Sequence, residues 1–126
     1  MNITNEQKKY SFEQVLETML WSTLDSSNEE CENLDENYSI NDIDIQSVND
    51  LWVIYHEFIH NTRDLIECSN LNYDQVAHDF WLTCNGHGAG FWDRGLGIVG
   101  DKLTDCCKSV GNIEVFVIGD KVHIES

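Results

Sequence analysis

One long segment, residues 45–67, constrains the fold of this chain more than any other part of the sequence. Its apolar residues recur at the period of an α-helix, while Glu57, Arg63 and Asp64 fall elsewhere on the helix surface. The segment therefore predicts a long helix with one face in the core. That face carries Val48, Leu51, Trp52, Tyr55, Phe58, Ile59, Leu65 and Ile66.

The length and composition indicate one folded domain over residues 1–126. A chain of 126 residues is too short for two domains that each bury a sizeable core. Hydrophobic residues make up 41% and charged residues 24%, which is typical of a globular protein and argues against a disordered chain.

Two further helices are predicted in the first part of the chain. Apolar residues at helical spacing predict an amphipathic helix over residues 12–23. Residues 25–42 are rich in turn formers and acidic residues and are expected to form a long loop. A short third helix is expected over residues 73–78, with Asn72 or Asn70 as its cap.

The second part of the chain is predicted to contain two β-hairpins that flank a helix. DFWLT, the glycine loop NGHGAG and FWD, residues 79–93, predict a hairpin with a wide turn. An amphipathic helix is expected over residues 98–109. The clearest hairpin joins the β-branched runs 113–118 and 121–125 through a two-residue Gly-Asp turn.

These elements predict an α+β fold. The acidic and mainly helical part, residues 1–78, is expected to pack on a small antiparallel sheet. The second part, residues 79–126, supplies that sheet as a hairpin, an intervening helix and a second hairpin.

The charge balance argues against several classes of function. Seven basic and 23 acidic residues give a net charge of −16, and such a surface repels nucleic-acid phosphates and anionic lipids. No apolar run approaches the roughly 20 residues that span a bilayer, and the first residues lack the apolar core of a signal peptide. We therefore expect a soluble cytoplasmic protein with no direct nucleic-acid binding and no membrane contact. The five cysteines are expected to be free thiols.

The negative charge is concentrated in one stretch. Between Lys9 and Arg63 there are 12 acidic residues and no Lys or Arg. Most of these carboxylates must lie in solvent, so the stretch predicts a sustained negative surface, which either binds a basic partner or only keeps the protein soluble. The residues expected to form it are Glu29, Glu30, Glu32, Asp35, Glu36, Asp42 and Asp44.

Two patterns resemble metal sites, and the sequence argues against both. HEFIH, residues 56–60, matches HExxH, in which two His residues bind zinc and the Glu is a general base. The apolar stripe places Glu57 and His60 roughly opposite the core, and no third ligand follows. The second pattern is the set His78, Cys84, His87, Cys106 and Cys107. Its spacing is not that of a zinc site, and Cys106 is expected to be a small core residue. We therefore expect no metal and no cofactor.

Functional residue types are densest in HDFWLTCNGHGAGFWDRGLG, residues 78–97. In a site, His87 is the candidate acid or base, Arg94 the anion clamp, and Asp79 or Asp93 the carboxylate that orients them. The alternative is a structural hairpin in which the glycines only make the turn. The candidate binding residues are Asp79, Asn85, Gly86, His87, Gly88, Gly90, Trp92, Asp93 and Arg94.

On these residues the chain resembles a family of small bacteriophage proteins with an HDFWLTxNGHGAGFWDRG-like motif. The likeness extends upstream to LWSTLDSS and LDENYSINDI and downstream to the GDKLTDCC helix and the closing hairpin, so it covers nearly the whole chain. Family members usually carry Arg where this chain has Cys84, so a role that needs two arginines beside Asn85 does not carry over. HEFIH is not part of the family pattern. The resemblance implies a phage origin and expression inside a bacterium, and it implies no catalytic residue or cofactor.

Two functional hypotheses follow. The first is a phage accessory protein in the cytoplasm of the host bacterium that binds and modulates a host macromolecule with a basic surface. A host defence or nucleic-acid-handling protein fits, because duplex DNA carries one charge per about 1.7 Å and a negative protein surface can imitate it. The second is an enzyme or small-ligand binder that uses the glycine-rich loop, residues 85–94. No nucleophile elbow, phosphate loop or carboxylate pair supports a particular reaction.

Overall fold

The computed structural model describes residues 2–26, 30, 32–87 and 90–126. Within these ranges the chain forms five α-helices followed by one β-hairpin, which is an α+β fold. No helix in the described ranges is long and apolar enough to cross a membrane. The elements are α1 (Asn5–Lys9), α2 (Phe12–Ser22), α3 (Ile45–Ser69), α4 (Tyr73–Cys84), α5 (Ile98–Val110), β1 (Glu114–Ile118) and β2 (Lys121–Glu125), with 3₁₀ turns at Leu34–Glu36, Ile40–Asp42 and Phe91–Asp93.

The long helix α3 confirms the prediction from the apolar period. It begins after Asp44, whose carboxylate accepts a hydrogen bond from the Ser47 N–H, and this satisfies one open donor of the first turn. It ends at Asn70, which adopts the left-handed conformation common after a helix. The predicted apolar face is buried, except that Trp52 and Leu65 lie half-buried at the edge of the core.

The helices bury most of the core among themselves, so the sheet contributes less than the sequence suggested. α2 packs on α4, and α5 packs on both α3 and α4. α4 runs across the predicted boundary between residues 78 and 79, and buried residues from both parts form one hydrophobic cluster. The short helix α1 was not predicted; it begins with a capping box between Thr4 and Gln7.

The first of the two predicted hairpins is wrong. Residues 79–83 continue α4, which is six residues longer than expected, and residues 91–93 form a 3₁₀ turn. The helix begins at Asn72, where a capping box with Gln75 fixes its start. Nearly every residue from Val76 to Cys84 is buried, so the amphipathic period is lost and a short apolar run resembles a strand.

The second hairpin is confirmed. β1 and β2 pair antiparallel, with Glu114 opposite Glu125 and Ile118 opposite Lys121. Gly119 has a φ of 60°, as the tight two-residue turn requires. Within the expected loop over residues 25–42, residues 25, 26, 30 and 32–42 are described, and they form no α-helix and no strand apart from the two 3₁₀ turns.

Tyr55 lies in the centre of the core and connects α3 to the chain between α1 and α2. Its hydroxyl donates a 2.7 Å hydrogen bond to the Tyr10 carbonyl oxygen, and burial raises the pKa of the phenol. Tyr55→Phe removes this donor and leaves a buried carbonyl unsatisfied, so we expect the free energy of unfolding to fall by about 1–3 kcal/mol.

The matched control for this substitution is Tyr38→Phe. Tyr38 is half-buried, and its hydroxyl makes no hydrogen bond among the described residues. We expect this change to alter the free energy of unfolding by no more than about 0.5 kcal/mol. Urea unfolding measures both variants, and equal losses would contradict a specific role for the Tyr55 hydroxyl.

Candidate functional site

Asp79 is a carboxylate with only 2% of its side chain exposed, and the side chains of Arg94 and His78 contact it. Arg94 donates from Nε to Oδ2 and from Nη2 to Oδ1, and His78 Nδ1 lies 3.1 Å from Oδ1. The hydrogen bonds to Asp79 raise the pKa of the Arg94 guanidinium. Arg94 is therefore held against α4 and is not free as the expected anion clamp. Asp79, and not the exposed Asp93, is the carboxylate that orients Arg94.

Asn85 connects the end of α4 to the beginning of the hairpin. Its Nδ2 donates to the Trp81 carbonyl oxygen at 3.1 Å, and its Oδ1 accepts from the Ile113 N–H at 2.9 Å. Both polar atoms of the amide are thus engaged within the fold, which assigns Asn85 a structural role.

The glycines of the predicted loop meet structural requirements of the turn. Gly86 has a φ of 70°, a conformation that residues with a Cβ rarely adopt. At Gly90 a Cβ would lie 2.2 Å from Thr83 Oγ1, which accepts a hydrogen bond from the Phe91 N–H. Gly88 lies outside the described residues.

His87 and Trp92 line a cavity that neither Asp79 nor Arg94 lines. Thr83 and Gly86 also line this cavity, which has a volume of about 400 Å³ and lies against α5. Trp92 is 50% exposed, so its indole is available to a ligand. An aromatic face beside two carboxylates suits a cationic or zwitterionic ligand. The residues that α5 contributes are Asp101, Thr104, Asp105 and Lys108.

Trp21 is a candidate binding residue that the sequence reasoning missed. It is 42% exposed, and its ring stacks on His78 with 5.8 Å between centroids. It lies in a groove of about 450 Å³ between α2 and the acidic segment, residues 32–44, and Glu17 and Asp35 also line this groove. Its position opposite the apolar stripe of α2 was a signal that could have identified it.

The seven predicted acidic residues occupy different environments. Glu32, Asp42 and Asp44 are partly buried and accept hydrogen bonds from nearby side-chain or backbone N–H groups. Glu29 lies outside the described residues. The exposed members are Glu30, Asp35 and Glu36.

Few of the carboxylates have a basic neighbour. Within the described residues, Asp79–Arg94 is the one ion pair between a carboxylate and a Lys or Arg, and the other close contacts between carboxylates and basic side chains involve His. Exposed carboxylates without such partners keep their full effect on the surface potential. The negative surface predicted from the sequence is therefore little neutralised within the described parts of the chain.

The HExxH residues lie on the outer surface of α3. Glu57 and His60 are exposed, and His56 Nε2 lies 2.9 Å from a Glu6 carboxylate oxygen. Across the described parts of the chain, no group of three or more His, Cys, Asp or Glu side chains could hold a metal ion. His56 therefore has a structural partner on α1.

The prediction that Cys106 is a core residue is wrong, and the cysteine of α5 that lies in the core is Cys107. Cys107 is fully buried against Cys84, whereas Cys106 is half-buried, because the two neighbouring positions face different directions on α5. The contact with Cys84 and burial together raise the pKa of the Cys107 thiol. Thiols in such surroundings are poor nucleophiles and poor metal ligands.

A scan against protein-family models, a search of curated proteins and a search of solved structures each found no match for this chain.

Because Arg94 pairs with the buried Asp79, we expect substitution of Arg94 to lower stability strongly, although Arg94 lies on a surface turn. Arg94→Ala leaves the buried carboxylate without its main partner, and we expect the free energy of unfolding to fall by about 3 kcal/mol. Urea unfolding measures the loss.

Two controls accompany this variant. Arg63→Ala removes an exposed arginine without an ion pair among the described residues, and His87→Ala removes an exposed loop side chain. Each is expected to change the free energy of unfolding by no more than about 0.5 kcal/mol. A loss for Arg94→Ala as small as these would show that the pair does not stabilise the fold.

Proposed function

We propose that this protein binds a basic surface of another macromolecule through its acidic face, the exposed carboxylates that include Asp35 and Glu36. The observation that carries the proposal is the excess of exposed carboxylates, with a single Lys or Arg ion pair to a carboxylate in the described residues. Such a surface attracts a basic partner over several ångströms and speeds its association.

The Trp21 groove supplies a packed aromatic anchor, which surface charge alone does not provide. Long-range charge steers association, but affinity comes mainly from a few well-packed anchors, among which Trp is enriched. Trp21 lines this groove together with Glu17 and Asp35, and its ring stacks on His78. We infer that this groove is the centre of the interface and that the surrounding acidic residues form its rim.

The resemblance to small bacteriophage proteins supports the choice of partner. A phage accessory protein acts in the cytoplasm of its host, where proteins that grip duplex DNA carry basic surfaces. We propose that the partner is such a host defence or nucleic-acid-handling protein, and that the acidic face competes with DNA for it.

Charge reversal on the acidic face tests the proposal. The partner is first identified by affinity capture from infected cells, and its association with the native protein is then measured at low and high salt. We expect Asp35→Lys with Glu36→Lys to lower the association rate about tenfold while the dissociation rate changes less. Rising salt is expected to slow association of the native protein, since the field is screened over about 8 Å at physiological ionic strength.

The matched control reverses Asp64 and Glu67, two exposed acidic residues on α3 that lie outside the groove. This control changes the net charge by the same amount as the Asp35 and Glu36 reversals. A smaller effect on the association rate therefore shows that the position of the reversed charges matters. Trp21→Ala is expected to raise the dissociation rate, and duplex DNA is expected to compete. Association that is indifferent to salt, to the Asp35 and Glu36 reversals and to DNA contradicts the proposal.

The cavity beside Trp92 favours a second candidate function, the binding of a small cationic ligand. A guanidinium can stack on the Trp92 indole while Asp101 and Asp105 neutralise it. N-acetyl-arginine amide is a suitable probe, with the uncharged citrulline analogue as its control.

We expect calorimetry to show that the arginine probe binds at least about tenfold more tightly than the citrulline probe. Trp92→Ala is expected to abolish binding, whereas Trp21→Ala, which removes the other exposed Trp described above, is expected to preserve it. Equal affinity for the two probes, or binding unchanged by Trp92→Ala, rejects this candidate.

A further inference from the structure

The two strands of the hairpin differ in how their outer edges are covered. In a two-residue hairpin the residues that flank the turn form a hydrogen-bonded pair. The next residue on each strand, and every second residue after it, therefore points its N–H and C=O groups away from the partner strand. On β2 these residues are Val122 and Ile124, and on β1 they are Val115 and Val117.

The outer edge of β2 is covered by the rest of the fold. The Val122 carbonyl oxygen accepts a 2.8 Å hydrogen bond from the Asp44 N–H, and the Ile124 N–H donates to Ser47 Oγ at 3.0 Å. α3 packs against this strand. The outward-pointing groups of β2 are therefore engaged within the chain.

The outer edge of β1 has no such cover. On this side neither Val115 nor Val117 makes a backbone hydrogen bond to any described residue, and β2 is the element that packs extensively against β1. The strand EVFVI has no charge after Glu114, no proline and only β-branched and aromatic residues. An open edge of this composition is a template for another strand.

We propose that this edge pairs with the same edge of a second copy of the chain, so that two hairpins form one four-stranded antiparallel sheet. A two-fold axis at Phe116 places Val115 opposite Val117 of the second copy, and Val117 opposite Val115 of the second copy. Each of these pairs exchanges two N–H···O=C hydrogen bonds. The outward backbone groups of both residues are then satisfied in both copies.

The charges at the ends of the hairpin select the same register. Glu114 lies directly opposite Glu125, and like charges in this position destabilise a strand pair. In the two-fold arrangement Ile118 of the second copy lies opposite Glu114, and the second copy's Lys121 lies one strand further on, about 10 Å from Glu114 on the same face of the sheet. Lys121 is exposed, and its hydrogen bond to the Asn41 carbonyl oxygen is long at 3.4 Å, so its long side chain is able to turn toward the Glu114 carboxylate.

Pairing of two copies and binding of a basic partner respond to salt in opposite directions. Two chains that each carry a net charge of −16 repel each other, and added salt screens this repulsion. Self-association is therefore expected to strengthen as salt rises, whereas association with a basic partner weakens. The failure of one proposal is thus distinguishable from the failure of the other.

Sedimentation of the full chain over a range of concentrations tests the pairing. We expect a monomer–dimer equilibrium that is tighter at about 0.5 M than at about 0.05 M salt. Val117→Pro removes an outward N–H and no hydrogen bond within the hairpin, a position where edge strands tolerate proline. It deletes two of the four hydrogen bonds between copies, so we expect the dissociation constant to rise about tenfold or more.

Val117→Thr is the matched control, because it retains the N–H and the β-branched shape; we expect a change of less than about threefold. A charge swap gives a test that does not depend on the proline variant folding. Glu114→Lys and Lys121→Glu are each expected to weaken the dimer, and the double variant is expected to restore it. A native chain that stays monomeric at both salt concentrations, a folded Val117→Pro variant that dimerises like the native chain, or a charge swap without recovery overturns the proposal.

Discussion

The burial of Asp79 is the constraint on which much of this structure depends. A carboxylate with almost no solvent contact is stable only when hydrogen bonds and opposite charge surround it. Arg94 supplies both from the far side of the glycine-rich turn, and His78 contacts the same carboxylate from the neighbouring position on α4. The Asp79 side chain therefore anchors the turn to the most buried helix of the domain.

This anchor supports both candidate binding surfaces. On one side His78 carries the stacked ring of Trp21, which forms part of the groove beside the acidic segment. On the other side the turn held by Arg94 presents Trp92 to the cavity against α5. Each surface combines an exposed indole with carboxylates. The chemistry of both surfaces thus suits cationic groups, which agrees with the negative charge of the whole chain.

The sequence predicted the elements that show one clear period. α2, α3, α5 and the closing hairpin each bury one face, and their apolar residues repeat accordingly. α4 was only half predicted, because burial on nearly all sides removes the contrast between its faces. In the candidate site, the sequence selected the loop residues as a dense group, but it assigned Arg94 and Asn85 binding roles that their contacts within the fold do not support. Trp21 was missed, although its position opposite the apolar stripe of α2 marks it as an aromatic residue on the exposed face of that helix.

The sequence by itself determined the charge of the surface, the long amphipathic helix and the tight turn of the closing hairpin. These properties are local or additive, since they depend on residue types and on spacing along a few turns of chain. Only the tertiary structure decided which side chains meet. Arg94 reaches Asp79, Trp21 stacks on His78, and segment 43–47 covers β2 while leaving β1 open. Such contacts arise when packing of the apolar faces fixes the positions of the helices, and no spacing along the chain encodes them.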